Sequence, residues 1–239
     1  MRTFIAAVGL LTRIPVPAAP DTETAGKATG WFPLVGALIG AIYAAIAWLA
    51  APRLPSAVVA VLLVIAEPLI TGALHIDGLA DTADGFGGGK SREDILRIMR
   101  DPAIGSYGAS ALVLLVAFKI TALTALLDRH AAIPFLVLMP VLGRWTAAPL
   151  AYFLPYARPS KSAPQFVGIR ELLWSTLLTA TITATVNPHY GFVCWAAVAA
   201  LAALFGAFCR RKIGGITGDT LGAAIEIAEC LVLLVALLL

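Results

Sequence analysis

Three carboxylates in one short polar segment are the residues best suited to chemistry. The segment reads His75-Ile76-Asp77-Gly78-Leu79-Ala80-Asp81-Thr82-Ala83-Asp84-Gly85, and Gly87-Gly88-Gly89 follows. If 77–84 is helical, Asp77, Asp81 and Asp84 stand at i, i+4 and i+7. At about 100° per residue they fall at roughly 0°, 40° and −20°, within one narrow stripe. Carboxylates so aligned repel one another unless cations lie between them. Hard oxygen ligands suit Mg²⁺ or Mn²⁺, which bridge to phosphate oxygens. An ordinary solvated acidic face would mix in Lys or Glu, whereas the intervening residues here are Gly, Leu, Ala and Thr. The glycines that follow either let backbone N–H groups approach phosphates or form a plain break. His75 is a candidate general base, or else a hydrogen-bonding orienter at a helix end. Downstream, Arg92, Arg97 and Arg100 offer positive charge to an anionic substrate or to acidic lipid headgroups.

A second constellation, Gly214-Gly215-Ile216-Thr217-Gly218-Asp219-Thr220-Leu221-Gly222, opens an apolar run that also holds Glu226 and Glu229. Asp219 and Glu226 are again i, i+7. With a rise of about 1.5 Å per residue, Glu226 lies roughly 15 Å below the start of that run, and Arg144 reaches a similar depth in its own. Glu226 and Arg144 are therefore expected to pair. Lys119 and Glu229, both near 20 Å by the same rule, form a second expected pair. Glu67, beside Pro68, reaches a comparable depth. Unpartnered, each such charge costs several kcal/mol, so these groups hold a bundle together more readily than they catalyse.

The elements that position these residues are membrane spans. Of the 239 residues 60% are hydrophobic and 13% charged, about half the roughly 25% charge of soluble domains. Lipid must be the solvent. The net charge of +3 is too small to point to nucleic acid. Runs long enough to cross a bilayer are Trp31–Ala50, Ser56–His75, Gly105–Leu127, Ala131–Leu154, Glu171–Asn187, Tyr190–Cys209 and Ile216–Leu239. Pro52, Pro55, Pro155, Pro159 and Pro188 lie in the connections. Phe4–Leu11, cut short by Arg13, Pro15 and Pro17, reads as an interfacial helix rather than a cleaved signal. Cys194, Cys209 and Cys230 sit in apolar runs with no ligand spacing, as reduced, lipid-buried thiols. The expected fold is all-α, a polytopic membrane helix bundle in one domain, 1–239. It has about seven spans, the N-terminal interfacial helix and a cytoplasmic Asp-rich helical segment.

Orientation follows from the loop cations. With the N-terminus inside, Arg2, Arg13, Lys27, Lys90, Arg92, Arg97, Arg100, Arg158, Lys161, Arg170, Arg210, Arg211 and Lys212 are cytoplasmic. Only Arg53 and Arg129 are outside, while Lys119 and Arg144 are intramembrane. Thirteen against two places the Asp-rich segment on the cytoplasmic face of the cell (inner) membrane and sends Leu239 outward.

Five ordered blocks carry a resemblance: Leu11–Pro17, Phe32–Gly36, His75–Gly85, Ile98–Asp101 with Ile104-Gly105, and Gly214–Glu226. On these the chain resembles the cobalamin synthase family, membrane-bound adenosylcobinamide-GDP ribazoletransferases. The resemblance implies that adenosylcobinamide-GDP is joined to alpha-ribazole or its 5′-phosphate, with Mg²⁺ (alternatively Mn²⁺) as cofactor and GMP released. It implies catalytic roles for His75, Asp77, Asp81 and Asp84, the three aspartates as metal ligands. Substrate contacts are implied for Arg13, Arg100, Asp101, Thr217 and Asp219, with Asp101 or Asp219 open as a further metal ligand. A complex with other late cobalamin-pathway enzymes is left open.

Asp81-x-x-Asp84-Gly85 also looks like the first half of the CDP-alcohol phosphotransferase signature, but the later Gly-x-x-x-Asp-x-x-x-Asp is absent. The two long Asp-rich motifs of UbiA-type prenyltransferases do not align. An ion-coupled transporter using Glu226, Arg144 and Lys119 is the non-enzyme reading. A transporter site normally lies near the midplane, whereas this acidic stripe lies at the membrane edge.

Overall fold

Short polar or proline-containing breaks divide the apolar sequence into twelve helices, seen in a computed structural model that describes residues 1–16, 20–158 and 163–239. Pro17, Pro159 and Lys161 lie outside the described residues. The helices are α1 (Arg2–Leu11), α2 (Thr22–Ala28), α3 (Phe32–Ala50), α4 (Ser56–Thr71), α5 (Leu74–Gly88) and α6 (Arg92–Ile98). They continue with α7 (Ser106–Asp128), α8 (Ala132–Trp145), α9 (Ala147–Phe153), α10 (Ile169–Val186), α11 (Gly191–Ile213) and α12 (Gly218–Leu238). Among the described residues the only strand-like feature is an isolated parallel bridge between Tyr156 and Ile216.

Five of these stretches are long and apolar enough to cross a bilayer: Thr22–Ala50, Ser106–Asp128, Ala132–Phe153, Gly191–Ile213 and Gly218–Leu238. A sixth is counted only if α4 and α5, bent by 93°, make one span. The remaining expected span is helical as α10, but Thr176, Thr179, Thr181, Thr183 and Thr185 dilute its apolar character. Its faces are inverted relative to a soluble helix. Ser175, Thr179 and Thr183 are buried, while Leu173 and Leu177 are exposed. Small polar residues inside and leucine outside suit a helix packed in lipid. Trp48, Leu69, Val113, Leu114 and Leu204 face outward in the same way.

The expected second span, Ser56–His75, ends early. Gly72 (φ +71°) and Ala73 (φ +62°) are both left-handed, and α4 stops at Thr71 as such a cap requires. The chain leaves at nearly a right angle as α5, so the Asp-rich helix lies across one end of the bundle. There it meets the first turns of α7 and α12. The opposite end is marked by Arg129, whose guanidinium donates to the Leu237 carbonyl (2.9 Å). α8 is the most enclosed helix, with Leu136, Leu138, Leu142 and Arg144 fully buried.

Candidate active site at the polar end of the bundle

Close backbone contact between α5 and α12 assembles the site. A Cβ at Gly78 would lie 2.8 Å from the Asp219 carbonyl oxygen, and one at Gly222 would lie 3.2 Å from the His75 Cα. Hydrogen at Gly78, and a tight fit at Gly222, let α5 lie against the first turn of α12, which brings Asp77 and Asp81 beside Asp219. A third strand of chain joins through the parallel bridge. The Ala157 N–H donates to the Ile216 carbonyl (2.7 Å), and the Ile216 N–H to the Pro155 carbonyl (2.9 Å). The bridge carries Arg158 to the site, where its guanidinium donates to the Asp219 carboxylate at 2.7 Å. Asp77 is exposed and Asp81 half-buried. Burial pushes the Asp81 carboxyl up to about 6, and the charges of Asp77 and Asp219 push the same way while Arg158 opposes them. Negative charge therefore exceeds the positive charge available to it.

The end of the stripe behaves differently. Asp84, expected to be a metal ligand alongside Asp77 and Asp81, is buried. One carboxylate oxygen accepts from the Gly105 N–H (2.7 Å) and the other from the Gly108 N–H (2.8 Å). It satisfies donors at the start of α7 and fastens that helix to α5. The glycines after it offer no free phosphate cradle. α5 runs through Gly88, the Gly89 N–H donates to the Gly85 carbonyl, and a Cβ at Gly87 would strike the Tyr107 ring at 2.5 Å.

The remaining candidates divide. Thr217, expected to contact substrate, is fully buried, and its hydroxyl accepts from the Thr220 N–H (3.2 Å) as the cap of α12. Arg92 donates to the carbonyls of Ile213 (2.8 Å) and Ala157 (2.7 Å), a structural use rather than a free anion site. Arg100 and Asp101 are exposed and line a solvent-open cleft of ≈ 600 Å³ together with Arg97 and Arg158. This cleft shares Arg158 with the acidic group. Arg13 lays its stem over Gly72 and donates its N–H to the Ile70 carbonyl (2.7 Å), bracing the bend.

His75 is buried, and its Nδ1 lies 3.3 Å from Nη2 of Arg144. A guanidinium only donates, so Nδ1 accepts and the neutral ring carries its proton on Nε2. No ring lone pair is left for a general base. The expected catalytic role gives way to that of an orienter at the start of α5. Behind it lies a buried charge network. Nζ of Lys119 is 2.7 Å from a carboxylate oxygen of each of Glu67, Glu226 and Glu229. Arg144 pairs with Glu229, not with Glu226 as its depth suggested. These three glutamates are the one group of possible metal ligands clustered within 4.8 Å among the described residues. The Lys119 ammonium occupies their centre.

Sequence reasoning missed two participants. Glu67 is central to the network although it was read only as a carboxylate of comparable depth. Its signal was an unmatched acid inside an apolar run. Arg158 entered only the orientation count, and nothing around it in sequence points to Asp219.

A family model described as Cobalamin-5-phosphate synthase matches residues 3–237. The chain belongs to the cobalamin-5-phosphate synthase family. Similar proteins include the adenosylcobinamide-GDP ribazoletransferase of Shewanella frigidimarina, 42% identical over 99% of this chain and 94% of that protein. Those of Syntrophobacter fumaroxidans (39%; 96% of each chain) and Prosthecochloris aestuarii (40%; 99% and 97%) bear the same name. No solved structure matches. The resemblance carried by the five ordered blocks is thus borne out along nearly the full chain.

Proposed function

We propose that this chain is an adenosylcobinamide-GDP ribazoletransferase, joining adenosylcobinamide-GDP to alpha-ribazole or its 5′-phosphate. The observation that carries the site assignment is the incompletely neutralised group of Asp77, Asp81 and Asp219 beside Arg158, in a chain whose relatives bear that name. A ribose hydroxyl of the ribazole attacks the phosphorus bound to the corrin arm. The new O–P bond forms, the bridging P–O bond breaks with its electron pair leaving on GMP, and the hydroxyl proton is released.

The donor set fits a hard divalent cation: carboxylate oxygens, one exposed and one half-buried, with no ammonium between them among the described residues. Asp77 and Asp81 would hold Mg²⁺, or Mn²⁺ in its place, with Asp219 adjacent. Bound there, the cation would neutralise charge on the phosphate oxygens, which is the main demand of phosphoryl transfer. Arg158 and Arg100 line the cleft that receives the remaining diphosphate charge. Arg158 also fixes Asp219, so it couples the two halves of the site. Asp84 holds the α5–α7 junction rigid beneath them, and the His75–Arg144 contact orients the start of α5.

The charge asymmetry puts this end of the bundle, with the N-terminus, on the cytoplasmic side and the C-terminus outside. Placed there, the site meets substrates supplied by soluble metabolism. The transporter reading is disfavoured, because the Lys119 ammonium is held by all three buried carboxylates at once.

The test is a product assay in proteoliposomes with adenosylcobinamide-GDP and alpha-ribazole, with and without Mg²⁺. The expected result is Mg²⁺-dependent release of GMP matched by formation of the joined corrinoid. No GMP release from protein shown to be folded would overturn the assignment.

A further inference from the structure

A half-open cavity of ≈ 240 Å³ lies directly beside the acidic group, between α1, α5, α9 and the start of α12. Its walls are largely apolar, with Leu10, Leu11, Phe32 and Ile225 among them, and Asp77 and Asp219 stand in the same lining. His75 also contributes to the wall, and its Nε2 has no partner among the described residues. We propose that this cavity is the subsite for the heterocyclic base of the ribazole, taking a benzimidazole-class ring. The proposal rests on the transferase reading above and specifies which substrate part lies where.

Three features select that ring among the parts of the two substrates. First, the volume is below the roughly 300–1,000 Å³ of sites that enclose a whole drug-sized ligand, so it admits one ring system and excludes a corrin. Second, guanine carries several donors and acceptors on its edge, and each one buried without a partner costs about 1–3 kcal/mol. The benzo edge of a benzimidazole carries none. Third, a benzimidazole nucleoside keeps one ring nitrogen with a free lone pair. Because Nδ1 of His75 accepts from Arg144, Nε2 bears the hydrogen such a lone pair needs. With the base in the cavity, the ribose lies toward Asp77 and Asp219, where its hydroxyl meets the diphosphate.

Gly218 makes a clean test. It lines the cavity, its backbone is not in the left-handed region, and an added Cβ would meet nothing within 4 Å. Gly218→Leu therefore adds bulk at the cavity wall from a position where the Cβ itself meets no neighbour. The KM for alpha-ribazole is expected to rise by about tenfold or more, the scale on which apolar pockets discriminate by one or two methylenes. The KM for adenosylcobinamide-GDP should stay unchanged, and so should the unfolding temperature. Leu10→Ala enlarges the same cavity from its α1 wall. It should raise the kcat/KM of a nucleoside with a bulkier tricyclic base relative to that of dimethylbenzimidazole. An equal rise in both KM values for Gly218→Leu would overturn the subsite. So would an unchanged ribazole KM, the outcome expected if a lipid chain fills the cavity. Failure of the wild-type protein to release GMP would instead remove the transferase reading, so the two failures are distinguishable.

Discussion

The molecule holds two concentrations of acidic side chains, and they are organised on opposite principles. At mid-bundle, Glu67, Glu226 and Glu229 converge on one Lys119 ammonium, and Arg144 closes the group against Glu229. At the polar end, Asp77, Asp81 and Asp219 share Arg158 as their one cation among the described residues, and burial of Asp81 adds to their mutual repulsion. The first set has its centre filled by the protein's own ammonium, although its three carboxylates meet two cations and one Glu226 oxygen has no partner among the described residues. The second is left short of positive charge, at a surface that substrates can reach. Acidic density alone would have favoured the buried cluster as the metal centre, since it is the tighter of the two. What separates structure from chemistry here is whether the protein supplies the counter-charge itself.

The largest expected effect breaks the buried side. Lys119→Met removes the cation shared by three buried carboxylates, and stranding a buried charge costs about 3–5 kcal/mol. The variant should lose its cooperative thermal transition in detergent or unfold far earlier than wild type. A wild-type unfolding temperature would show that the network is not what holds these helices. On the open side, Asp77→Asn and Asp81→Asn should leave folding intact and lower kcat by about 10²–10³, the scale of losing one electrostatic contact to a transition state. Excess Mg²⁺ should recover part of the loss in the milder variant. Wild-type turnover in both would remove the aspartates from the site.

Asp84 sharpens the comparison because it belongs to the stripe by sequence but to the structural group by its bonds. Asp84→Asn replaces one acceptor oxygen by a donor facing the N–H groups of Gly105 and Gly108. It is expected to destabilise the protein by about 1–3 kcal/mol. Activity at a temperature where the variant is folded should fall far less than for Asp81→Asn. The reverse ranking, with stability kept and turnover lost, would return Asp84 to the metal shell.

The raised Asp81 carboxyl predicts a pH effect in Mg²⁺-free protein. Its folded value of about 6 lies above the ordinary 3.8, so the folded state binds the proton more tightly than the unfolded one. Stability therefore falls as pH rises from about 4 to about 6, and stays lower above that. Asp81→Asn should flatten this slope in urea titrations. An unchanged slope would assign the pH dependence to another group.

Periodicity made the helical Asp stripe legible, and depth along a span located the buried charges. Neither reports what lies over a helix. Asp77, Asp81 and Asp84 share a stripe within 60° or so by helical geometry, yet α7 covers one end of it and solvent the other. Rise per residue likewise placed Arg144 level with Glu226, but rotation about the axis and the reach of the guanidinium joined it to Glu229. The Asp219–Arg158 contact depends on a single backbone bridge between distant loops, which has no local signature. Counting apolar residues found the membrane helices, and Pro68 pointed to a kink in Ser56–His75, but α4 runs through Pro68 and breaks at Gly72 and Ala73, because Ala73 in a left-handed conformation is rare and its sequence gives no warning.

That bend supports the smallest prediction, and it bears on how the two regions are kept apart. The left-handed pair at Gly72 and Ala73 turns α5 out of the bundle, so Asp77 and Asp81 lie at its end while Glu67 stays within it. For an L-residue other than glycine this conformation costs about 1–2 kcal/mol. Ala73→Gly removes that strain but gives the unfolded chain more freedom, worth roughly 0.5–1 kcal/mol in the other direction. The net gain is expected to be at most about 1 kcal/mol, seen as a small rise in unfolding temperature, with kcat unchanged. Gly72→Ala should go the opposite way, since it adds the strain and places a Cβ 3.1 Å from the Arg13 stem. If Ala73→Gly were destabilising, the strain would not be what limits this turn, and contacts of the Ala73 methyl would have to fix the direction of α5 instead. If it altered turnover at constant stability, the bend angle itself would be tuned to the chemistry at Asp77 and Asp81.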